Sequence, residues 1–322
     1  MNNLAELAQK LNGQIERMRF GDSPNNLYEP IRYLMSLGGK RLRPLLTLLS
    51  YQLKKSNPED VVDAAIGVEV FHNFTLMHDD IMDNAPLRRG QTTVHEKWDD
   101  NTAILSGDTM LVKAYDQFLS ADSSYTHLIF SRFNKTAVEV CEGQQLDMNF
   151  EQREEVQEEE YLEMIRLKTA VLLGFSLELG GILSNHPQTD KLYEIGESMG
   201  LGFQLMDDLL DVYADKAVFG KQVGGDIIAN KKTFLLINAL QRAKGNVHSK
   251  LHNWLLAEQF DPTEKVEAIT GIYNELGIHE LTTAKMNDYF DKAITAIDEL
   301  EGDEAAVNLL KEFARRLMQR NR

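Results

Sequence analysis

Two short acidic stretches share one spacing: Asp79-Asp80-Ile81-Met82-Asp83 and Asp207-Asp208-Leu209-Leu210-Asp211. Each reads D-D-x-x-D and each follows a long apolar run. On a helix, positions i and i+4 lie one above the other, so Asp79 stacks on Asp83 and Asp207 on Asp211. Carboxylates stacked in apolar surroundings repel one another and take up protons. Hard divalent cations remove that conflict, because magnesium prefers oxygen ligands and keeps positions for substrate phosphates. A single D-x-x-x-D is usually a solvated helix face. The third acid, the apolar approach and the repetition instead predict two facing walls of one magnesium–phosphate site.

Basic residues occur where anions would be welcome. Lys40-Arg41-Leu42-Arg43-Pro44 opens a helix after Gly38-Gly39. Cations at a helix start oppose the macrodipole, and an anion seated there removes the conflict. Arg88-Arg89-Gly90 follows the first acidic motif. These arginines either pair with the acids or grip a phosphate. Lys168 lies within an apolar run, where a lysine snorkels or functions. The polar, glycine-rich residues 214–226 predict a mobile flap carrying Lys221. His72, about two turns before Asp79, is either a satisfied core residue or a ligand.

The elements that must position these groups are helices. Apolar residues recur at helical spacing almost throughout, and strand-like alternation is scarce. Residues 58–83 are apolar around most of a helical circumference, which predicts a helix buried at the centre of a bundle. Further helices are expected near residues 4–18, 28–37, 101–119, 126–148, 161–183 and 191–213, and hairpins after 233. No linker or composition break divides the chain, so residues 1–322 read as one all-α domain. The net charge of −16 argues against nucleic-acid binding but leaves room for a local basic cleft. Cys141 is the only cysteine, which excludes an internal disulfide and suggests a reducing compartment. Residues 1–20 lack an unbroken apolar block, and no charge-free apolar stretch is long enough to span a bilayer. A soluble, cytoplasmic protein is expected.

The chain resembles the trans-isoprenyl diphosphate synthases, or polyprenyl synthetases. The likeness covers residues 38–233 and rests on the order of GGKRLRP (38–44), HDDIMDNAPLRRG (78–90), SGD (106–108), EGQQLD (142–147), RLKTA (166–170), GFQLMDDLLD (202–211), FGKQVGGD (219–226) and NKKT (230–233). It implies an all-α bundle of antiparallel helices around a deep central cavity, usually a homodimer, condensing isopentenyl diphosphate with an allylic diphosphate. Position by position, it implies magnesium ligation by Asp79, Asp83 and Asp207, with Asp80, Asp147, Asp208 and Asp211 completing the acidic walls. Arg88, Lys168, Lys221 and Lys231 match the residues that hold the allylic diphosphate. Lys40, Arg43, His72 and Arg89 match those that hold isopentenyl diphosphate. Thr169 and Gln204 match groups facing the developing carbocation.

Product length is expected to turn on residues upstream of Asp79: Thr75, Phe74 and Phe71. Thr75 shares a helix face with Asp79, and the two rings stand just beside it. Either they are ordinary core residues or they form the floor of the cavity. In relatives making long products the residue five before the motif tends to be small; here it is Phe74. Eukaryotic farnesyl enzymes tend to carry aromatics at four and five, and bacterial ones two extra residues in the motif; this chain has neither. The resemblance therefore favours geranylgeranyl diphosphate, with farnesyl diphosphate as the alternative. A magnesium-dependent terpene cyclase and a non-catalytic synthase subunit are competing classes. The basic isopentenyl motif argues against the first, and two intact acidic motifs argue against the second.

Overall fold

A computed structural model describes residues 4–214 and 224–319. The helices are α1 (Leu4–Arg17), α2 (Asn25–Ser36), α3 (Leu42–Gln52), α4 (Val62–Met82), α5 (Val94–Lys97), α6 (Asp100–Phe118), α7 (Ser123–Glu151), α8 (Glu158–Ile165), α9 (Val171–Leu183), α10 (Thr189–Tyr213), α11 (Gly225–Ile228), α12 (Phe234–Arg242), α13 (Gly245–Leu256), α14 (Pro262–Glu275), α15 (Ile278–Asp298) and α16 (Glu304–Met318). Among the described residues the only strands are Leu87–Arg88 and Gln91–Thr92, paired antiparallel. The all-α reading therefore holds. Among the described residues, no helix is long and apolar enough to cross a membrane.

The chain forms two compact units. The first comprises Met1–Thr136, Leu172–Gly196 and Ala296–Phe313; the second comprises Ala137–Val171, Glu197–Thr295 and Ala314–Arg322. In the first, α4 packs along α6 and against α3. Val62, Ala64, Ala65, Ile66, Val68, Val70 and Phe71 are all buried, as an all-round apolar helix requires. Each fully buried large side chain stabilises by about 1.5–3 kcal/mol. Below them Phe71, Phe118 and Phe175 surround Phe133, with ring centroids 4.7–5.7 Å from it. Tilted and edge-on pairs of this kind each add about 0.5–1.5 kcal/mol beyond burial.

Two local departures from regular helix were not foreseen. Leu87–Thr92 is a hairpin whose turn residues, Arg89 and Gly90, both have positive φ (53° and 75°). That is the geometry of a two-residue type I′ turn. Residues 166–170 are a π turn between α8 and α9, inside the run expected to be one helix. The hydrophobic period barely changes across one such turn, so periodicity alone does not disclose it.

Candidate active site

In the first unit, α4 delivers the first acidic motif at its last turn. Asp79 and Asp80 lie within the helix, and Asp83 caps it, its amide donating to Asp79 O. Asp80 is buried and Asp83 exposed. The hairpin folds back so that Arg88 grips Asp80: Nε donates to both carboxylate oxygens at 2.8 Å, and a terminal nitrogen lies 2.7 Å from Oδ1. Arg88 also approaches Asp79 to 3.8 Å. Burial drives the Asp80 carboxyl above its usual range, and Arg88 only partly offsets this. Burial likewise opposes the charge of Arg88, but Asp80, Asp79 and Asp83 together more than compensate.

The next residue of the hairpin turns to a different partner. Arg89 donates to Gly38 O. A Cβ on Gly39, whose φ is +142°, would stand 3.0 Å from the Arg89 guanidinium. The glycine pair therefore permits both the backbone path and the close approach. Arg41, at φ 49°, caps α3 and turns inward rather than towards an anion. It pairs with buried Glu69 at 2.6 Å and donates to Met35 O. Asn73 holds the same carboxylate at 3.2 Å. That anchored turn carries Lys40 and Arg43 on either side of Arg41. His72 sits in their field: burial first, then Arg43, Arg89, Arg88 and Arg41, keep its ring well below the usual histidine range. It is a neutral hydrogen-bonding group beside a basic cluster. Arg43, His72 and Arg89 thus share one neighbourhood in the first unit, and Lys40 adjoins Arg41 in the chain.

The second unit gathers the rest. Asp147 on α7 accepts from Lys168 at 2.6 Å and lies 3.5 Å from Lys231. Burial would raise its carboxyl, but the two lysines prevail and hold it below the usual range. Lys168 belongs to the π turn, which packs closely on α7. A Cβ on Gly143 would lie 2.2 Å from the Lys168 backbone nitrogen. From the same turn Thr169 donates to Gln204 at 3.1 Å, and Gln204 donates to Asp208 at 3.1 Å. The hydroxyl of buried Tyr161 donates to the other Asp208 oxygen. Burial, and then the charge of Asp226, push Asp208 up to about 8, despite Tyr161, Gln204 and Lys231. Asp211 accepts from the Asp226 amide at 3.0 Å. Asp207 lies on α10 beside Asp208. Lys221, and most of the segment expected to be a flap, lie outside the described residues.

The sequence profile of the polyprenyl synthetase family matches residues 24–273. This chain belongs to the polyprenyl synthetase family. It is 43% identical over 223 residues to the geranylgeranyl diphosphate synthase of Methanosarcina mazei, covering 68% of this chain and 69% of that protein. It is 40% identical over 266 residues to the short chain isoprenyl diphosphate synthase of Methanocaldococcus jannaschii, covering 82% and 80%. A crystal structure of geranylgeranyl pyrophosphate synthase superposes with a TM-score of 0.94 at 41% identity, over 99% of both chains. The fold is the all-α isoprenoid synthase fold, and the chain is a prenyltransferase.

Within this polyprenyl synthetase, Phe74 is half-buried one turn above the aromatic cluster. Its ring lies edge-on to His78 at 4.8 Å and is backed by Phe71 at 5.6 Å. Phe71 is fully buried and locked against Phe133, so its ring belongs to the core and supports Phe74. Thr75 is also half-buried, and its hydroxyl donates to His72 O. Four residues of this polyprenyl synthetase escaped the reading from sequence: Glu69, Tyr161, Asp226 and Arg41 in its inward role. A glutamate inside the apolar α4 run was a usable signal, because buried acids are paired. Tyr161 carried no such signal; only packing places it against Asp208.

Proposed function

We propose that this prenyltransferase joins isopentenyl diphosphate to an allylic diphosphate, releasing pyrophosphate and yielding geranylgeranyl diphosphate as its main product. The supporting observation is that acids of both units have cations built against them: Arg88 on Asp80 and Asp79 of the first acidic motif, and Lys168 with Lys231 on Asp147 of α7. Arg88, Lys168 and Lys231 have the reach and charge to take an allylic diphosphate, as does Lys221 by its sequence position. Lys40, Arg43 and Arg89 take the diphosphate of the isopentenyl substrate, with neutral His72 adding a hydrogen bond without further charge. Thr169 and Gln204, linked to each other, face the allylic carbon as positive charge develops there. The isopentenyl double bond attacks that carbon, and a proton leaves to pyrophosphate.

Among the described residues, no three His, Cys, Asp or Glu side chains are gathered as a metal site. The donors nonetheless suit magnesium by type, since all are hard carboxylate oxygens. Burial, and then the charge of Asp226, push Asp208 up to about 8, and a dication beside it would favour the ionised form. Magnesium held by Asp79, Asp83 and Asp207, with Asp80, Asp147, Asp208 and Asp211 joining directly or through water, would neutralise charge on the departing pyrophosphate.

Phe74 is the proposed floor, with Phe71 beneath it and Thr75 leaving space beside it. The proposed assembly is a homodimer. Leu105, Val112 and Leu119 recur at seven-residue steps on or beside α6 and are 59%, 61% and 55% exposed, a stripe that a second copy would cover. Residues 1–322 act as one catalytic domain in this reading, since the family match spans segments of both units. The test is incubation with labelled isopentenyl diphosphate and each short allylic diphosphate, with magnesium or with a chelator, followed by sizing of the products. Magnesium-dependent formation of geranylgeranyl diphosphate is expected. A product ending at farnesyl diphosphate would favour the alternative, and no incorporation of label would overturn the reading.

A further inference from the structure

Lys265 stands on α14 with no exposed surface at all. Burying a lysine is unfavourable unless its ammonium has defined partners. Here Nζ donates to Ile228 O at 3.2 Å and lies 4.1 Å from the centre of the Phe260 ring. Neither partner carries a full negative charge, and burial accordingly pushes the ammonium below the usual lysine range. Ile228 ends α11, and the last carbonyls of a helix lack intrahelical donors and form its negative end. A cation placed there is therefore a deliberate clamp on one end of a short helix.

α11 is where the second acidic motif meets a diphosphate-holding lysine. Its Asp226 amide donates to Asp211 Oδ2 at 3.0 Å. The Asp226 carbonyl accepts from the Lys231 amide at 2.9 Å. Lys231 then reaches Asp147 at 3.5 Å. A helix of one turn has little stability of its own, so its place is set by what grips it. Gly224 and Asp226 tie one end to α10, and Lys265 ties the other to α14.

We propose that Lys265 is a positioning residue for the allylic diphosphate: by clamping the Ile228 carbonyl it fixes α11, and through α11 the place of Lys231 beside Asp147. The proposal rests on the role given to Lys231 above. A lysine that only filled the core would lower stability without distinguishing the two substrates. Lys231 is assigned to one of them only, so release of the clamp must divide their kinetic constants.

The experiment is steady-state kinetics of the full-length K265M enzyme, varying the allylic diphosphate and isopentenyl diphosphate separately, well below the melting midpoint of the variant. The apparent KM for the allylic diphosphate is expected to rise about tenfold or more, as displacement of a binding group by a fraction of an ångström can do. The KM for isopentenyl diphosphate should stay within about twofold, since that site is untouched. A folded K265M enzyme with both constants unchanged, or with both raised alike, overturns the proposal. If K265M does not fold, K265R takes its place, because a broad guanidinium cannot occupy the position of the ammonium without moving α11; the same split decides. If neither folds, Lys265 is a stability residue and the proposal fails. Turnover of both substrates by the wild-type chain tests the assigned function separately from either variant.

Discussion

Phe74 and Glu178 show how much one side chain decides. Phe74 is half-buried where Phe71 is fully buried, so trimming it opens space without dismantling the aromatic cluster behind it. Phe74→Ala is expected to shift the product towards longer chains, read by mass analysis of the extracted diphosphates. The stability loss should stay at or below the about 3–5 kcal/mol typical of a fully buried ring. An unchanged product distribution would remove Phe74 as the floor. Glu178 is a different case. It is buried in the first unit with Arg132 at 2.9 Å, and burial pushes its carboxyl up to about 7 in spite of that arginine. The folded chain therefore holds a proton that the unfolded chain has released above its ordinary value of 4.5. The extra proton stabilises the fold fully below that value, and the benefit is lost as pH rises through 7. The unfolding free energy from denaturant titrations should fall across this window, the Glu178 contribution reaching about 1.4 kcal/mol per pH unit, and Glu178→Gln should remove that contribution.

At the scale of elements, the unexpected pieces do the positioning. A hairpin of four paired residues sends adjacent arginines to separate partners: Arg88 to Asp80 and Arg89 to Gly38. A π turn offsets the register between α8 and α9 and presents Lys168 to Asp147 and Thr169 to Gln204. Such turns interrupt the regular ladder and recur at functional sites. This one depends on Gly143, since a methyl group there would meet the Lys168 backbone at 2.2 Å. Gly143→Ala is expected to destabilise by about 1–3 kcal/mol through overpacking. It should also lower kcat/KM at least tenfold, about 1.4 kcal/mol in the transition state. Thermal melting and steady-state kinetics check the two effects. Full activity in the variant would mean that the π turn does not set the position of Lys168.

For the whole molecule, the proposed assembly has its own test. Leu105, Val112 and Leu119 form an apolar stripe on the water-facing side of an otherwise well-packed unit. A surface cavity of about 400 Å³, lined by Leu27, Leu105, Thr109 and Val112 among others, continues it. None of the expected site residues lines that cavity. Val112→Asp with Leu119→Asp should convert a dimer into monomers by analytical ultracentrifugation, because a buried unpaired carboxylate costs several kcal/mol at an interface. A wild-type chain that sediments as a monomer would refute the homodimer.

What could be read from residue order was whatever depends on short-range spacing. Helical period, the stacking of Asp79 on Asp83, the apolar girth of α4 and the two D-D-x-x-D motifs all follow from the rise and turn of one helix. The chain's family membership was legible for the same reason, since its motifs are local strings. What depends on groups far apart in the chain was invisible until the fold brought them together. Arg41 looked like an anion ligand until Glu69, 28 residues away, was found to hold it. Tyr161 acquires its role from Asp208, 47 residues on, and Lys265 from the end of α11, 37 residues back. No local pattern marks such pairs, because what selects them is the unfavourable free energy of burying a polar group without a partner, and only the tertiary structure says which groups are buried and what meets them.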